Sequence, residues 1–173
     1  PWDWLDPARR HVLVSLGTVN PAAGQRFFTA TVEAVEPLAE RLQTVLVAPS
    51  GLLGAVPDHV LVRDFVPQLD LLPHLDVVVS HAGHNTVCET LAHGLPLVVA
   101  PIRDDQPVIA GQVTTAGAGI RVHFGRVSPA QLRSAIITVL DDPSYRSAAR
   151  RVQASFTTAG GAPAAADHLE KLL

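Results

Sequence analysis

Several residue types with diagnostic value are scarce in this chain of 173 residues. There is one cysteine, Cys88, so no internal disulfide can form. There is no methionine, and we therefore expect the chain to be a piece of a longer protein. Lys and Arg number 13 against 16 Asp and Glu, giving a formal net charge of -3 without a basic cluster. Binding to nucleic-acid phosphates needs concentrated positive charge, so the sequence argues against a nucleic-acid partner.

Long hydrophobic segments are also missing. No apolar run approaches the ~20 residues that span a bilayer, so we expect no membrane span. With a single cysteine and no membrane span, a cytoplasmic location is expected. The opening residues, PWDWLDPARR, are polar and proline-rich, unlike a secretory signal. The chain contains 47% hydrophobic and 17% charged residues, which is typical of one soluble globular domain with a hydrophobic core.

Strand-like and helix-like segments alternate along the chain. Apolar runs predict strands at residues 11–16, 44–48, 60–65, 77–79, 97–100 and 120–123. Helical patterns are predicted at 25–42 with a kink or restart at Pro37, in a short turn within 67–74, from Asn85 or Thr86 to Gly94, at 107–116, and from near Pro129, Pro143 and Ala162. Strands that are apolar on both faces and separated by helices predict an α/β domain, a Rossmann-like doubly wound parallel sheet with helices on both faces.

In such a sheet, ligands bind beyond the carboxyl ends of the strands. The segment SHAGHNTVCETLAHGLP, residues 80–96, follows a predicted strand and is rich in polar side chains. Gly83 removes side-chain bulk where the backbone must approach a ligand, and the following helix N-terminus favours an anion. His81, Asn85 and Thr86 add donors around the same point. The segment therefore predicts a phosphate or diphosphate site.

Other interpretations of the same segment stay open. One is a capping box formed by Thr86 and Glu89, with His81 and His84 as ordinary surface residues. Glu89 is equally suited to capping and to accepting both hydroxyls of a ribose, as the acidic residue of dinucleotide folds does. A third interpretation is a zinc site of His81, His84 and Cys88, which lacks a convincing fourth ligand.

Two further loops fall at strand ends on the same predicted edge. In SLGT, Gly17 lets the backbone approach a phosphate and Thr18 offers a hydroxyl. In PIRDDQP, Asp105 and Gln106 offer acceptors and donors suited to a polyol such as a sugar. An equally good interpretation of this second loop is an aspartate near the helix cap, with Pro107 as the first helical residue.

The run FVPQLDLLPHLDVVVSHAGHNTVCETLAHGLPLVVAPIRDDQ, residues 65–106, resembles the donor-binding signature of family 1 nucleotide-sugar-dependent glycosyltransferases, especially the bacterial macrolide-type enzymes. SLGT, the WL pair at residues 4–5 and the terminal helices also match, so the resemblance covers essentially the whole chain. It implies the C-terminal half of a GT-B fold, in which two Rossmann-like domains face each other across a cleft. It further implies that residues 1–10 are an interdomain linker remnant and residues 11–173 the nucleotide-sugar donor-binding domain.

The resemblance also implies roles for individual residues by their position. Phe65 stands where the family usually has a tryptophan that stacks on the pyrimidine. The implied sites are Phe65, Val66, Gln68 and Glu89 for the base and ribose; Gly17, Thr18, His81, Gly83, Asn85 and Thr86 for the diphosphate; and Asp105 and Gln106 for the sugar. His84 falls at a variable position and receives no role.

The mechanism implied by the resemblance is an inverting sugar transfer that uses neither a metal nor a cofactor. The helix terminus and His81 would stabilise the departing nucleoside diphosphate. The catalytic base, a histidine, is expected in the N-terminal domain together with most of the acceptor site. We therefore expect no catalytic residue in this chain, which alone should bind nucleotide but transfer sugar poorly or not at all.

The donor and acceptor classes follow from the same comparison. UDP-sugar is favoured over TDP-sugar. If the Glu89 carboxylate accepts both hydroxyls of a ribose, a deoxyribose would leave one of its acceptor positions without a hydrogen bond. The acceptor is expected to be a small molecule, such as an antibiotic or other natural product. High alanine and arginine usage is typical of GC-rich bacterial genomes, where such biosynthesis is common.

Competing functions also remain. Another GT-B enzyme, such as a nucleotide-sugar epimerase or a lipid-linked sugar transferase, would need acid and base residues that the sequence does not show. A noncatalytic nucleotide-sugar-binding subunit that docks on a separate acceptor-binding partner would show the same motifs. A flavodoxin-like or dehydrogenase domain shares the alternating pattern, but no G-x-G-x-x-G follows the first strand.

Overall fold

The structure, a computed structural model, describes residues 2–17 and 21–171. Its centre is a sheet whose strands are β1 (Arg10–Ser15), β2 (Leu42–Val47), β3 (Val60–Arg63), β4 (Val77–Ser80), β5 (Leu97–Val99) and β6 (Gly119–Arg121). All pairings are parallel, and the spatial order is β3-β2-β1-β4-β5-β6. This arrangement confirms the predicted Rossmann-like doubly wound sheet.

Helices connect the strands and cover both faces of the sheet. They are α1 (Pro21–Val35), α2 (Gln68–Leu71), α3 (His84–Ala92), α4 (Gln106–Thr115), α5 (Pro129–Asp141), α6 (Pro143–Thr158) and α7 (Gly161–Glu170), with 3-10 turns at Glu36–Leu38 and Leu72–His74. Among the described residues, no helix has both the length and the hydrophobicity that a membrane span requires.

Successive residues of β1 show why the strands are apolar on both faces. Val12 and Val14 pack with Phe27 of α1 and Ile136 of α5 in one cluster, whereas Leu13 packs with Leu71 of α2 in another. Side chains of a strand alternate between the two faces, and here both faces are covered. All three β1 residues are fully buried.

Several boundaries differ from the sequence prediction. The helix predicted at 25–42 ends at Val35, and the 3-10 turn that follows contains Pro37, which cannot continue an α-helix without losing a hydrogen bond. The second strand then starts two residues earlier than predicted. The third strand ends at Arg63, so Phe65 lies in the loop beyond it.

The segment before β1, residues 2–9, packs against the sheet. Trp2, Trp4 and Leu5 contact the cluster that contains Leu13 and Val45. The division into a linker at 1–10 and a domain at 11–173 stays a prediction.

Candidate functional site

The site begins where β1 and β4 end side by side, with Ser15 paired to Ser80. The strand order reverses at this point, because β2 and β3 extend the sheet on one side while β5 and β6 extend it on the other. The loops after β1 and β4 therefore lead to helices on opposite faces and leave a crevice between them. Gly17 follows β1 and His81 follows β4, so two of the predicted loops do meet at the switch point.

The ring of His81 lies between two glycines. A Cβ on Gly17 would come 2.8 Å from His81 Cε1, and a Cβ on Gly83 would come 2.5 Å from His81 Nε2. Gly17 also has a φ of +63°, which a side chain would disfavour. The sequence assigned both glycines to close approach of a ligand. The structure adds a second reason, since each also makes room for the imidazole.

The environment of His81 disfavours the charged form of its imidazole. The residue is only 9% exposed, and its Nδ1 is buried without a hydrogen-bond partner in the described part of the chain. Burial lowers the pKa of His81 below its usual value, while the nearby Ser15 backbone and the Asp105 carboxylate oppose this shift. A neutral imidazole has one N–H donor to offer to a ligand. The influence of Asp105 also shows that the third predicted loop reaches the same place.

The N-terminus of α3 lies next to this histidine. Gly83 is its N-cap residue, and no side chain caps the helix. The amide of Val87 is bonded to the Gly83 carbonyl at 3.0 Å. The three preceding amides, those of His84, Asn85 and Thr86, lie in the first turn, where an α-helix has no intrahelical acceptors. The helix therefore starts one or two residues earlier than predicted, and it directs backbone donors at the crevice.

The capping-box interpretation of this helix is wrong. Thr86 is the third helical residue rather than the N-cap, so it is in the wrong place to form the box with Glu89. Instead, the amide Nε2 of Gln68 donates to Glu89 Oε2 at 2.6 Å, which links the start of α2 to α3. A true capping box in this chain is formed by Ser128 and Gln131 at the start of α5.

The predicted sugar-binding pair divides into two different environments. Asp105 is exposed and occupies the N-cap position of α4, but its side chain does not cap the helix. Gln106 is 7% exposed, and its Oε1 accepts hydrogen bonds from the amides of Ile102 (2.9 Å) and Arg103 (3.1 Å). Gln106 thus stabilises its own loop, a role that the sequence did not indicate. The sugar contacts of both residues stay predictions.

The predicted base-binding residues lie in the loop after β3. The side chain of Phe65 is 77% exposed, whereas Val66 is buried in the cluster beneath. An exposed aromatic face at a strand end is the geometry that stacking on a base requires. Thr18, predicted on the diphosphate, lies outside the described residues.

The zinc interpretation finds no support in the described ranges. They contain no group of three His, Cys, Asp or Glu side chains able to hold a metal. Cys88 Sγ lies 3.6 Å from His84 Nε2. Burial, with a smaller effect of the Glu89 charge, raises the pKa of the Cys88 thiol, which disfavours the thiolate that binds metals.

A concavity of about 600 Å³ lies elsewhere, between β6 and α5. Its lining includes Ile120, Arg121 and Gln131, and none of the predicted site residues belongs to it. The switch-point crevice is the better candidate, because the buried, unpartnered Nδ1 of His81 and uncapped helix amides converge there.

Residues 35–172 match the family model described as erythromycin biosynthesis protein CIII-like, C-terminal domain. The chain belongs to this family. Demethyllactenocin mycarosyltransferase of Streptomyces fradiae is 37% identical over 175 residues, covering 99% of this chain and 38% of that protein. The chain therefore spans about two fifths of that relative's length.

Solved structures extend the similarity to three dimensions. The glycotransferase of kitacinnamycin superposes with a TM-score of 0.88 at 34% identity, covering 99% of this chain and 45% of that one. The spinosyn rhamnosyltransferase SpnG, solved with thymidine diphosphate, superposes with a TM-score of 0.80 at 25% identity, covering 91% and 44%. These neighbours are GT-B glycosyltransferases, which confirms the fold and family that the sequence motifs predicted.

Proposed function

We propose that the chain binds a nucleotide-diphosphate sugar as the donor half of an inverting, metal-independent glycosyltransferase. UDP-sugar is the favoured donor and TDP-sugar the alternative. The acceptor is a small molecule, such as a natural product, and the enzyme acts in the bacterial cytoplasm. The relative named a mycarosyltransferase and the glycosyltransferase neighbours support the reaction class.

One observation carries the proposal: His81 and the uncapped start of α3 converge at the switch point of the sheet. The His81 ring is fixed between Gly17 and Gly83, so its position does not depend on a ligand. A diphosphate has several acceptor oxygens and no donors when ionised. The first-turn amides of α3 and the imidazole N–H supply the donors that such a group needs.

These groups also suit the chemistry of sugar transfer. The acceptor oxygen forms a bond to the anomeric carbon while the bond from that carbon to the diphosphate oxygen breaks. The electron pair of the breaking bond goes to the diphosphate, and the proton of the acceptor hydroxyl goes to a base. Fixed donors stabilise the developing negative charge without having to reorganise. The base is assigned to the N-terminal domain of the longer enzyme.

The choice of nucleotide rests on Glu89. Gln68 donates to one oxygen of the carboxylate, and the lone pairs that are left can accept from both ribose hydroxyls. A 2′-deoxyribose would leave an acceptor poorly paired, which favours a uridine nucleotide. A structural neighbour was solved with thymidine diphosphate, so TDP is the competitor to test.

Calorimetric titration of the chain with UDP, TDP and ADP in the presence of EDTA tests the proposal. We expect UDP to bind without metal, and His81→Ala and Glu89→Ala to weaken or abolish binding. Matched controls are His123→Ala and Glu33→Ala, which replace exposed residues of the same types outside the crevice. If folded wild-type chain binds none of the three nucleotides, or if the control substitutions weaken binding equally, the proposal is wrong.

A further inference from the structure

A second concave surface lies away from the proposed nucleotide site. It is the groove of about 600 Å³ between residues 120–127 and α5, which we call the edge groove. β6 is the terminal strand of the described sheet, so no strand of that sheet covers its outer edge. The switch point lies between β1 and β4, and β5 separates β4 from β6. None of the residues assigned to the nucleotide or the sugar lines the edge groove.

The floor of the edge groove is apolar. Ile120 of β6 and Val122 just after it are half-buried and pack on the largest core cluster of the domain. Val127 and Ala135, which belong to that cluster, also line the groove. A groove of this volume can hold a small organic molecule. An apolar ligand surface placed on this floor would gain free energy because both surfaces leave water.

The rim of the edge groove is positively charged, although the whole chain has a formal net charge of -3. Arg121 and Arg126 line the groove, and no Asp or Glu of the described residues does. Both arginines are exposed, and neither belongs to an ion pair within residues 2–17 and 21–171. The arginines that do pair with an Asp there are Arg9, Arg10, Arg41, Arg103 and Arg146. Two guanidinium groups without a carboxylate beside them favour a ligand with a negative charge.

Uncharged hydrogen-bonding groups also face the edge groove. The amide of Val122 donates to the Val99 carbonyl at 2.9 Å. Because alternate residues of a parallel strand bond to a given neighbour, the amide of Arg121 points away from β5, towards the outer edge. The opposite wall carries three polar residues of α5 at helical spacing, namely Gln131, Ser134 and Thr138. A charged head group would therefore find hydrogen-bond partners on both walls.

The loop that follows β6 has a fixed shape. The ring of Phe124 stacks on Phe27 of α1 with the ring centroids 5.3 Å apart. The His123 carbonyl accepts from the amide of Val127 at 2.8 Å, and Arg26 Nη2 donates to the Val127 carbonyl at 3.3 Å. A preformed rim loses little conformational freedom when a ligand binds, which favours affinity.

We propose that the edge groove binds an amphipathic organic anion, a small molecule with an oxyanion head and an apolar body. The head lies at Arg121 and Arg126, and the body covers Ile120 and Val122. β6 has only three residues, which is a short edge for the addition of a peptide strand, so the groove favours a small molecule over an extended chain. Because no residue of the switch point is involved, this inference does not depend on the proposed function.

Titration of the 15N-labelled chain with 2-naphthoate, followed by NMR, tests the proposal. We expect saturable shifts of the amide signals of Ile120, Val122 and Ser134. Acetate lacks the apolar body and 2-naphthalenemethanol lacks the charge, so each should bind at least about five-fold more weakly than 2-naphthoate. The titration is repeated in the presence of UDP, which should leave the affinity for 2-naphthoate unchanged because the two sites are separate.

A double variant, Arg121→Gln with Arg126→Gln, keeps two polar side chains but removes both charges. It should lower the affinity for 2-naphthoate to that for 2-naphthalenemethanol, while the affinity for the alcohol stays the same. The matched control, Arg150→Gln with Arg151→Gln, removes the same charge from exposed residues of α6 outside the edge groove. It should bind 2-naphthoate like the wild type.

Several results would overturn the proposal. They are 2-naphthoate shifts confined to residues outside the edge groove, equal affinity of the wild type for the acid and the alcohol, displacement of 2-naphthoate by UDP, and an equal loss of affinity in the two double variants. A glutamate hexapeptide that shifts the groove signals when 2-naphthoate does not would assign the edge to an acidic peptide instead.

Discussion

The imidazole of His81 occupies the space that a side chain on Gly83 would need. A Cβ at Gly83 would lie 2.5 Å from Nε2 and 2.7 Å from Cε1 of that ring. Gly83 has a φ of -64°, so alanine is allowed by the backbone, and the effect of a substitution would come from this contact alone. We predict that Gly83→Ala displaces His81 and weakens UDP binding by about ten- to a hundred-fold, because a hydrogen bond to a charged group contributes about 1.5–3 kcal/mol.

Gly111→Ala is the matched control for this prediction. Gly111 lies within α4, and a Cβ there would meet no heavy atom within 4 Å. Alanine is the better helix former, so the variant should be more stable by about 0.5–1 kcal/mol and should bind UDP like the wild type. Equal UDP affinity of Gly83→Ala and wild type would show that the position of His81 does not matter for the nucleotide.

The lowered pKa of His81 predicts the sign of a pH effect on stability. Because burial disfavours the charged ring, the unfolded chain binds the proton more readily than the folded chain. The stabilising contribution is therefore complete above the ordinary histidine pKa of 6.5 and is lost as the pH falls below it. Urea unfolding at several pH values should show a steeper loss of stability for wild type than for His81→Asn. The difference between the two variants separates the effect of His81 from that of the other histidines. If the free energy of unfolding changes with pH in the same way in both, the prediction is contradicted.

The buried hydroxyl of Thr44 predicts an unusual tolerance in the core. Thr44 is fully buried on β2, and within residues 2–17 and 21–171 its hydroxyl has no hydrogen-bond partner. Thr44→Val keeps the shape and removes an unsatisfied group, so we expect stability to be unchanged or higher by up to about 1 kcal/mol. Thr31 is equally buried but donates to the Phe27 carbonyl at 2.8 Å, so Thr31→Val should cost about 1 kcal/mol. Denaturant unfolding of both variants measures the two changes in stability. Equal losses in Thr44→Val and Thr31→Val would contradict the prediction.

The fold was predictable because its signals are local. Runs such as Val77–Val79 are too apolar for a strand with one exposed face, and prolines mark the starts of α5 and α6. The position of the crevice then followed from the general rule for parallel sheets. The ends of strands and helices were predicted less accurately, since they depend on hydrogen bonds that cannot be inferred from single residues.

The details of the candidate site depend on contacts between distant parts of the chain. The Gln68–Glu89 bond joins residues 21 positions apart, and nothing in either local sequence indicates it. The role of Gly17 as a neighbour of His81 could not be read from spacing, because it depends on β1 lying beside β4. The left-handed conformation of Ala82, with a φ of +65°, was not predicted, since alanine rarely adopts it.

The exposed ring of Phe65 provides a test of base binding that leaves the fold intact. With 77% of its surface exposed, its removal should change stability by less than about 0.5 kcal/mol. If the ring stacks on the pyrimidine, Phe65→Ala should weaken UDP binding by about 1–3 kcal/mol, or roughly 5- to 150-fold. Leu169→Ala, at an exposed apolar residue of α7, is the control and should leave affinity unchanged. An unchanged affinity in Phe65→Ala would exclude the stacking role.

Because Gln68 is bonded to Glu89, comparing a ribose nucleotide with a deoxyribose nucleotide tests whether Glu89 binds the ribose hydroxyls. The amide fixes one carboxylate oxygen, so the acceptor presented to the sugar has a defined position rather than a mobile one. A 2′-deoxyribose lacks one of the two hydroxyls, and an unmatched charged acceptor costs about 1–3 kcal/mol. We therefore predict that wild-type chain binds UDP at least about five-fold more tightly than 2′-deoxy-UDP.

Glu89→Gln keeps the size of the side chain but removes its charge, and it should bring the two affinities close together. His81→Asn serves as the contrast: it should weaken both nucleotides by the same factor, because the diphosphate is common to them. Competitive titration of the two nucleotides against each variant separates these effects. If Glu89→Gln and His81→Asn change the ratio equally, Glu89 does not read the ribose, and the preference for uridine nucleotides loses its physical basis.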